Sequence, residues 1–290
     1  MEKAREKARI LMEALPYIKE YYGKTVVVKF GGSAMEDDSL KEKFASDIVL
    51  MRYVGMNPVV VHGGGPEVTR YMEKLSLQVQ FVDGHRVTDE ATMEVAKMVL
   101  VGKVNKEIVS LINVHGTLAV GLSGEDGNLI MARKRRHRKG QDEVDLGFVG
   151  DVERVNPAIL LNLFRDEFIP VVASIGVDEK GVSYNINADL VAGALAAALQ
   201  ADKLIYLTDV DGIYRDLADG GSLIPELSVK EAEELVESGA LGSGMLPKVQ
   251  SCVEAVKAGV RRAHIINGTV DHALLLELYT DAGIGTMIRE

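Results

Sequence analysis

Two lysines stand beside glycine-rich segments, a combination that suits phosphate binding. Lys29 lies in Val26-Val27-Val28-Lys29-Phe30-Gly31-Gly32-Ser33, where a β-branched run predicts a short buried strand that ends at the glycines. Lys248 follows Gly242-Ser243-Gly244-Met245-Leu246-Pro247, which predicts a flexible loop that leads into a helix. Backbone N–H groups of glycine turns, together with an ammonium group, bind phosphate oxygens well. An ordinary turn with a solvated lysine is the alternative explanation of the first segment.

A second β-branched run ends at a glycine cluster, in the segment Pro58-Val59-Val60-Val61-His62-Gly63-Gly64-Gly65-Pro66. If both strands are parallel members of one sheet, both glycine turns lie at its carboxyl edge, where open α/β sheets bind ligands. Two glycine turns that face one crevice favour a ligand site over a coincidence of composition.

Two common nucleotide-binding motifs do not fit these segments. Gly23-Lys24-Thr25 is not a P-loop, because Ile18 stands where that motif needs a glycine and because the strand follows it. Gly63-Gly64-Gly65 does not complete a dinucleotide fingerprint, since Val68 occupies the place of the last glycine. The expected site therefore uses a different arrangement of glycines.

Further polar candidates follow along the chain. Arg86 comes two residues after the turn signal Asp83-Gly84 and suits a bidentate contact to a carboxylate, although a surface salt bridge explains it as well. Thr88 is predicted to cap the next helix. The segment Tyr184-Asn185-Ile186-Asn187-Ala188-Asp189 opens an alanine-rich helix. Each of its polar side chains alone reads as a helix cap, but together they suit the orientation of cations and of a polar substrate.

The elements that must position these residues alternate between strand and helix, which predicts right-handed crossovers and a mainly parallel sheet. The segment 1–22 stands apart from this pattern. It is amphipathic, with one apolar face formed by Leu11, Leu15, Ile18 and Tyr22. Pro16 predicts a kink or two short helices there. The apolar face is expected to pack on the flank of the domain or on another subunit.

Composition and charge restrict the class of protein. The 290 residues carry a formal net charge of -10, which argues against general nucleic-acid binding. The basic run at residues 133–139 is followed directly by acidic residues and is predicted to be a solvated hairpin tip. One cysteine fits a reducing, cytoplasmic setting. The sequence shows neither a run of about eighteen apolar residues nor a secretory signal, so no membrane association is expected.

Taken together, five segments resemble the amino-acid-kinase superfamily, and most closely its N-acetyl-L-glutamate kinases of the arginine-inhibited type. The resemblance covers essentially the whole chain. It implies a three-layer αβα sandwich with a mainly parallel open sheet, preceded by an N-terminal helix. It also implies three regions: an oligomerisation helix at 1–22, an amino-acid-binding lobe at 23–200 and a nucleotide-binding lobe at 201–290. The segments are Lys29-Phe30-Gly31-Gly32, His62-Gly63-Gly64-Gly65-Pro66, Asp83-Gly84-His85-Arg86-Val87-Thr88, Asn185-Ile186-Asn187-Ala188-Asp189 and Gly244-Met245-Leu246-Pro247-Lys248.

The resemblance implies phosphoryl transfer from ATP to the γ-carboxylate of N-acetyl-L-glutamate. Lys29 and Lys248 would flank the transferred group, and Asp189 would fix both ammonium groups. Mg²⁺ would be held by phosphates and water, with no protein metal site. The acceptor would contact Gly64, Gly65, Arg86 and Asn185. The nucleotide would contact Gly31, Gly32, Thr208, Asp209, Gly212, Gly244 and Met245. Ser243 departs from the family pattern, which has a glycine at that position.

The resemblance also implies regulation and assembly. Arginine would inhibit from a site at Tyr21, His264, Glu277 and Gly283, for which a core histidine and a solvated glutamate are the alternative. The N-terminal helices would join dimers into a homohexamer, and a nitrogen-signalling regulatory protein would be a further partner. Two rival functions stay open: a related kinase that acts on another carboxylate, such as an α-aminoadipate derivative, and a catalytically silent arginine-sensing module.

Overall fold

The computed structural model describes residues 1–139, 142–216, 219–242, 244–280 and 283–290. A π-helical segment, Met98–Val104, joins two of the helices. The helices are α1 Glu2–Tyr21, α2 Asp38–Tyr53, α3 Gly65–Lys74, α4 Glu90–Lys97, α5 Asn105–Asn113, α6 Ala158–Arg165, α7 Ala188–Ala198, α8 Val229–Ser238, α9 Leu246–Lys257 and α10 Ala273–Tyr279. The strands are β1 Thr25–Phe30, β2 Asn57–His62, β3 Phe81–Val82, β4 His85–Arg86, β5 Ala119–Ser123, β6 Ile130–Lys134, β7 His137–Lys139, β8 Asp142–Val144, β9 Val149–Val155, β10 Ile169–Ala173, β11 Ile175–Val177, β12 Ser183–Ile186, β13 Lys203–Thr208, β14 Glu226–Ser228, β15 Arg262–Asn267 and β16 Thr286–Arg289.

Within the described residues, eight strands form the central sheet in the order β14-β16-β15-β13-β1-β2-β10-β5. Strands β13, β1, β2, β10 and β5 pair in parallel, and β16 runs antiparallel to β15. The strand β1 lies between β2 and β13. The connection that follows β1 leads to β2 on one side, and the later connection that follows β12 leads to β13 on the other side. This is the kind of switch point at which open α/β sheets form a ligand crevice. The predicted mainly parallel open sheet is confirmed.

Helices cover both faces of the sheet, because its inner strands are apolar on both sides. Val26 and Val28 belong to one buried cluster, to which α2 and α5 contribute. Val27, between them, belongs to the other cluster, to which α7 and α9 contribute. All three valines are fully buried, as the alternation of a central strand requires. The predicted three layers are therefore present.

A second sheet region was not predicted from the sequence. Strands β11, β12, β9 and β6 close into a small barrel, and β3–β4 and β7–β8 form two separate hairpins. Residues 133 and 134 of the basic run belong to β6, and residues 137–139 belong to β7. The prediction that this run is a hairpin tip is therefore wrong for most of its length, because five of its seven residues belong to strands.

The N-terminal segment forms one helix, α1, that continues through Pro16, so the expectation of two short helices is wrong. Proline removes one backbone hydrogen bond, and the part of α1 that follows it is held by packing of Tyr17 and Tyr21 against the core. Tyr22, predicted on the apolar face, is 71% exposed, whereas Tyr21 is 4% exposed. The helix α1 ends at Tyr21, so Tyr22 lies beyond the helix and does not follow its apolar face.

No helix in the described part of the chain combines the length and the apolar character that a membrane span needs.

Candidate active site

A cleft of about 1280 Å³ opens at the carboxyl ends of β1, β2, β10 and β13. It exceeds the roughly 300–1,000 Å³ of a typical small-ligand pocket, so it has room for two ligands side by side. Its lining brings together most of the site residues predicted from the sequence. These are Lys29, Gly31, Gly32, Gly64, Gly65, Arg86, Asn185, Asp189 and Asp209.

The carboxylate of Asp189 joins both predicted lysines. Lys29 Nζ lies 3.0 Å from Oδ1, and Lys248 Nζ lies 3.0 Å from Oδ2. Burial alone would raise the pKa of Asp189, but the charges of the two lysines and the hydrogen bond from Lys248 outweigh it and hold this pKa below its usual range. One ionised carboxylate therefore holds two ammonium groups, one from β1 and one from α9.

Hydrogen bonds hold the backbone of Asp189 in place independently of its side chain. Asn187 caps α7, with its Oδ1 accepting a hydrogen bond from the N–H of Asp189 at 2.7 Å. The hydroxyl oxygens of Tyr206 and Ser251 each lie 2.9 Å from the Asp189 carbonyl oxygen. Gly193 of α7 has no room for a Cβ beside Ser251 of α9. This close approach of the two helices brings the lysine of α9 to the carboxylate of α7.

Lys248 lies in the first turn of α9, where the positive end of the helix dipole disfavours an ammonium group. Two acceptors compensate for this position. Besides the Asp189 carboxylate, the carbonyl oxygen of Gly244 lies 3.1 Å from Lys248 Nζ. The Asp189 carboxylate and the Gly244 carbonyl oxygen together hold the Lys248 ammonium group in place.

The first glycine turn is tied to strand β13 by Asp209. The backbone N–H and the hydroxyl of Ser33 both donate to Asp209 Oδ1, at 2.6 and 2.8 Å. Ser33 and Asp209 follow the neighbouring strands β1 and β13. The turn that carries Gly31 and Gly32 is therefore held over the switch point of the sheet.

The second glycine turn adopts a conformation that only glycine tolerates. Gly64 has φ of +152°, and a Cβ there would lie 2.8 Å from Leu100 and 3.2 Å from Val104. Both of these side chains come from the π-helical segment, a kind of irregularity that is frequent at functional sites. The segment presses apolar side chains against the back of the turn.

Arg86 is 7% exposed and lies beside this turn. Its Nη2 donates to the Gly65 carbonyl oxygen at 2.8 Å and to Thr69 Oγ1 at 2.7 Å. The guanidinium carbon lies 4.7 Å from the centroid of the Phe81 ring. The surface salt bridge considered for Arg86 is not what the structure shows, since these partners are uncharged and the guanidinium lines the cleft.

Thr88 does not cap the following helix, contrary to the prediction. Asp89 is the cap, with its Oδ1 accepting from Thr92 N–H at 2.8 Å. Thr88 is fully buried, and its hydroxyl donates to the Arg86 carbonyl oxygen at 2.8 Å. Asn185 Nδ2 lies 3.5 Å from Thr88 Oγ1. The threonine thus connects the arginine to the asparagine on the wall of the cleft.

Four residues expected at the nucleotide are not among the described residues that line the cleft. Thr208 turns its hydroxyl to the backbone N–H of Val210 at 3.0 Å, and Gly212 packs against Thr286. Gly244 and Met245 lie at the start of α9. Position 243, where the family pattern is broken, lies outside the described residues.

A second cluster of buried charges surrounds Glu277, away from the cleft. Its Oε1 lies 2.9 Å from Lys203 Nζ and 2.9 Å from His264 Nδ1. Lys203 Nζ also lies 5.2 Å from the centroid of the Tyr21 ring. The N–H of Ile284, next to Gly283, lies 3.4 Å from Glu277 Oε2. The four residues predicted to bind arginine therefore lie together, and a solvated glutamate is excluded because the Glu277 side chain is 7% exposed.

The two partners of Glu277, His264 and Lys203, differ in charge. Burial alone would raise its pKa, but the hydrogen bond from His264 and the charge of Lys203 lower that pKa to about 2. Burial and the nearby lysine lower the pKa of His264, so this imidazole is a neutral donor to the carboxylate. The ion pair of the cluster is thus the one between Glu277 and Lys203.

Several residues of these sites were missed by sequence reasoning. Ser33 and Lys203 have no motif of their own, although Ser33 directly follows the glycines and Lys203 opens the strand β13. Leu100 and Val104 look like ordinary helix residues, because the sequence around them does not indicate a π-helical turn. Within the described residues, no group of three or more His, Cys, Asp or Glu side chains is arranged to hold a metal ion.

A parallel sheet whose switch point presents two lysines and two glycine turns is the arrangement of an enzyme that handles phosphoryl groups. The sequence model of the amino acid kinase family matches residues 24–267, and the chain belongs to that family. Acetylglutamate kinase from Pelotomaculum thermopropionicum is 56% identical over 290 residues, which cover 98% of both chains. Acetylglutamate kinase from Nostoc sp. is 55% identical over 282 residues, or 97% of this chain and 93% of its own. The resemblance to the amino-acid-kinase superfamily and to its acetylglutamate kinases is confirmed.

Solved structures agree with this assignment. N-acetylglutamate synthase from Neisseria gonorrhoeae, complexed with coenzyme A and N-acetyl-glutamate, superposes with a TM-score of 0.85 at 30% identity. The alignment covers 98% of this chain but 63% of the synthase chain. Carbamate kinase from Giardia lamblia bound to AMP-PNP gives a TM-score of 0.66 at 18% identity, over 92% of this chain and 98% of its own. The second likeness shows the shared fold alone.

The Glu277 cluster predicts a specific pH dependence of stability. A carboxylate whose pKa is lowered from 4.5 to about 2 stabilises the fold above pH 4.5 and loses this contribution as the pH falls toward 2. We expect Glu277→Gln to lower the free energy of unfolding at pH 7 by about 3 kcal/mol, because it leaves Lys203 buried without a counter-charge. The difference from the wild type should shrink as the pH falls through this window, which denaturant unfolding at several pH values measures.

Glu226→Gln is the matched control, since Glu226 pairs with Arg289 while its side chain is 45% exposed. This change should alter the free energy of unfolding by less than about 0.5 kcal/mol at any pH. An effect of Glu277→Gln that stays constant from pH 7 to pH 2 would contradict the electrostatic account of the cluster.

Proposed function

We propose that the protein transfers the γ-phosphoryl group of ATP to the γ-carboxylate of N-acetyl-L-glutamate, giving N-acetyl-L-glutamyl 5-phosphate and ADP, in the cytoplasm and within arginine biosynthesis. The observation that carries this proposal is the buried carboxylate of Asp189 between two lysines from different glycine-rich segments. The relatives named acetylglutamate kinase supply the identity of the acceptor.

The two ligands would share the cleft along its length. The acceptor would lie beside Gly64, Gly65, Arg86 and Asn185, in the lobe formed by residues 23–200. The guanidinium of Arg86 suits the α-carboxylate, since Arg86 is stacked and oriented by its neighbours. The nucleotide would lie toward residues 201–290, where Gly31, Gly32 and Asp209 meet the segments that carry Thr208, Gly212, Gly244 and Met245.

The chemistry follows from charge. The attacking carboxylate is already ionised near neutral pH, so no general base is required. One of its oxygens bonds to the γ-phosphorus, the bond from that phosphorus to the β–γ bridging oxygen breaks, and ADP leaves with the electron pair. Negative charge spreads over the transferred group and the leaving oxygen, where Lys29 and Lys248 would stabilise it from either end. Asp189 would keep the lysines in place without contact to the reacting atoms.

Mg²⁺ fits this site as an ion held by phosphate oxygens and water. Both oxygens of Asp189 already lie against lysine ammonium groups, and Oδ1 of Asp209 accepts two hydrogen bonds from Ser33. The ammonium groups beside Asp189 disfavour a further cation on that carboxylate, so phosphate oxygens and water would supply most of the ligands of Mg²⁺. When bound, the ion would neutralise phosphate charge.

Turnover of a panel of acceptors tests the proposal. ADP release is measured with MgATP and either N-acetyl-L-glutamate, glutamate, aspartate, carbamate, a nucleoside monophosphate or an N-acylated α-aminoadipate. We expect N-acetyl-L-glutamate to give the highest kcat/KM. Preference for any other acceptor would overturn the substrate assignment, and lack of turnover with the whole panel would favour the silent sensing module.

Lys29→Ala and Lys248→Ala should each lower kcat about a hundredfold or more, as removal of one charge-stabilising donor does in other enzymes. Lys43→Ala is the matched control, because Lys43 forms an ion pair with Asp271 outside the cleft. It should leave kcat within about twofold. A folded Lys29 or Lys248 variant with wild-type kcat would show that this lysine does not act in the transition state.

Arg86→Ala should raise KM for N-acetyl-L-glutamate by about tenfold or more while KM for ATP stays within about twofold, since hydrogen bonds to charged groups contribute about 1.5–3 kcal/mol. Arg52→Ala is the control for loss of a buried guanidinium, because Arg52 contacts Met56, Asn57 and Glu167. It should lower stability and leave both KM values unchanged. Equal weakening of both substrates by Arg86→Ala would indicate a structural role.

Feedback inhibition by arginine is the second part of the proposal. What supports it is the gathering of Tyr21, His264, Glu277 and the backbone next to Gly283 in one buried cluster. The cluster links the end of α1 to α10 and to the sheet. An effector bound there would change the rate only by favouring one of two arrangements of these elements.

The N-terminal helix would join dimers into a homohexamer. Its support is the exposed apolar surface of α1, where Ile10, Leu11 and Met12 are 55%, 69% and 65% exposed. A nitrogen-signalling regulatory protein as a further partner stays a prediction.

Deletion of residues 1–16 tests assembly and inhibition together, and it keeps the buried Tyr21 in place. We expect the truncated enzyme to form dimers and to lose most of its sensitivity to arginine, as measured by light scattering and by arginine titration of the rate. Leu11→Glu should have the same effect, and Lys7→Glu, on the same helix, should not. A truncated enzyme that stays hexameric and equally inhibited would contradict the proposal.

A further inference from the structure

Two buried polar side chains lie directly beneath the second glycine turn. His62 ends β2, and Asn105 begins α5 immediately after the π-helical segment. Both are fully buried, and Asn105 Nδ2 lies 3.1 Å from His62 Nε2. Neither lines the cleft. A polar pair at this depth is costly unless each hydrogen-bonding group finds a partner, so its partners show what the pair holds in place.

The orientation of the Asn105 amide follows from its other neighbours. Lys106 Nζ, which can only donate, lies 3.1 Å from Asn105 Oδ1. The carbonyl oxygen of Val171, which can only accept, lies 2.8 Å from Asn105 Nδ2, and that of Leu122 lies 3.4 Å from it. The NH₂ group of Asn105 therefore points toward β10, β5 and His62. Its position is set by two strands of the central sheet.

The tautomer of His62 follows in turn. Because Asn105 donates to Nε2, this nitrogen must carry a lone pair, and the ring proton must be on Nδ1. His62 Nδ1 lies 2.8 Å from the carbonyl oxygen of Gly63, to which it donates. Burial lowers the pKa of His62 to about 4, so the ring stays neutral through the physiological range. The sheet thereby holds the Gly63 carbonyl through two side chains.

A held carbonyl also fixes the next N–H group. The Gly63 C=O and the Gly64 N–H belong to one planar trans peptide unit and point in opposite directions. With the carbonyl oxygen bound to the buried imidazole, the N–H of Gly64 is turned away from the core, on the side where Gly64 lines the cleft. Leu100 and Val104 hold the turn from behind.

We propose that His62 and Asn105 are positioning residues that aim the backbone N–H of Gly64 at an anionic oxygen of the bound substrates. They act through the peptide unit and touch neither substrate. This inference rests on the proposed kinase function, because it assigns a purpose to the Gly64 N–H in that reaction. Rotation of the peptide unit would turn a carbonyl oxygen toward the anion and remove one donor from the site.

The tautomer can be measured without any substrate. In protein labelled with ¹⁵N-histidine, the signals of His62, assigned by comparison with His62→Asn, should show a neutral ring with Nδ1 protonated between pH 5 and 9. The wild type should keep this form with or without acceptor. A proton on Nε2, or an imidazolium at pH 7, would overturn the inference whatever the enzyme phosphorylates.

Two pairs of variants separate positioning from packing. The side-chain nitrogen of asparagine occupies the place of His Nδ1, whereas that of glutamine occupies the place of Nε2. His62→Asn should therefore keep the bond to Gly63 and most of kcat, while His62→Gln should lower kcat about tenfold to a hundredfold. Both changes remove the ring, and the smaller asparagine leaves the larger cavity, so a role in packing alone would impair His62→Asn at least as much as His62→Gln. That result would overturn the inference.

Asn105→Ala and Asn113→Ala form the second pair. Asn113, at the far end of α5, also ties the helix to β5, through Leu118 N–H at 2.9 Å and Ala119 N–H at 2.7 Å. Both variants should lower the melting temperature, but only Asn105→Ala should lower kcat, with the dissociation constant for ATP within about twofold of wild type. Equal kcat for the two variants would overturn the inference.

The kinetic arms use whichever acceptor the panel identifies. If N-acetyl-L-glutamate is not that acceptor, the proposed function fails, while the tautomer and the asparagine pair still decide the positioning role. If it is the acceptor and His62→Gln keeps wild-type kcat, the positioning role fails and the function stands.

Discussion

The structure depends on one electrostatic constraint: a buried carboxylate must be neutralised, and in this protein two lysines from distant parts of the chain do so. Asp189 is 5% exposed, and an unpaired carboxylate at that depth would be strongly unfavourable. Its ionised state therefore requires Lys29 and Lys248 to meet at 3.0 Å on either oxygen. The strand β1 and the helix α9 are held in a fixed relation by this requirement, and the cleft between them gains two cations at a defined place.

Hydrogen bonds likewise hold the other groups of the site in place. Asn187, Tyr206 and Ser251 hold the backbone of Asp189, Asp209 holds the first glycine turn, and His62 holds the second. Asn187, Asp209 and His62 stand at a helix start or a strand end, whereas Tyr206 and Ser251 lie within β13 and α9. Phosphoryl transfer requires little covalent participation from a protein, so preorganised donors and cations of this kind are the main contribution that a fold can make.

The sequence predicted the parallel sheet, its helices and the residues of the cleft because these depend on local pattern: β-branched runs, glycine clusters and apolar helix faces. Contacts that join distant segments were harder to predict: only the resemblance brought Lys29 and Lys248 to Asp189, and Lys203 against Glu277 was not predicted at all. Where the local sequence allowed two structures, the tertiary structure decided between them. Asp89 displaced Thr88 as a helix cap because the sheet buries Thr88, and α1 ran through Pro16 because its last turn is packed against the core. The small barrel was not predicted, because its strands are short and their residue patterns do not clearly indicate strands.

The central claim is that Asp189 acts by holding both lysines, and a double-mutant cycle tests it most directly. The kcat of Asp189→Asn, of Lys248→Ala and of the double variant is measured with the acceptor that the wild type prefers, after each variant is shown to be folded. If the carboxylate positions the lysine, removal of Lys248 costs far less once Asp189 is neutral, and the losses are strongly non-additive. Losses that multiply as independent effects would contradict the account.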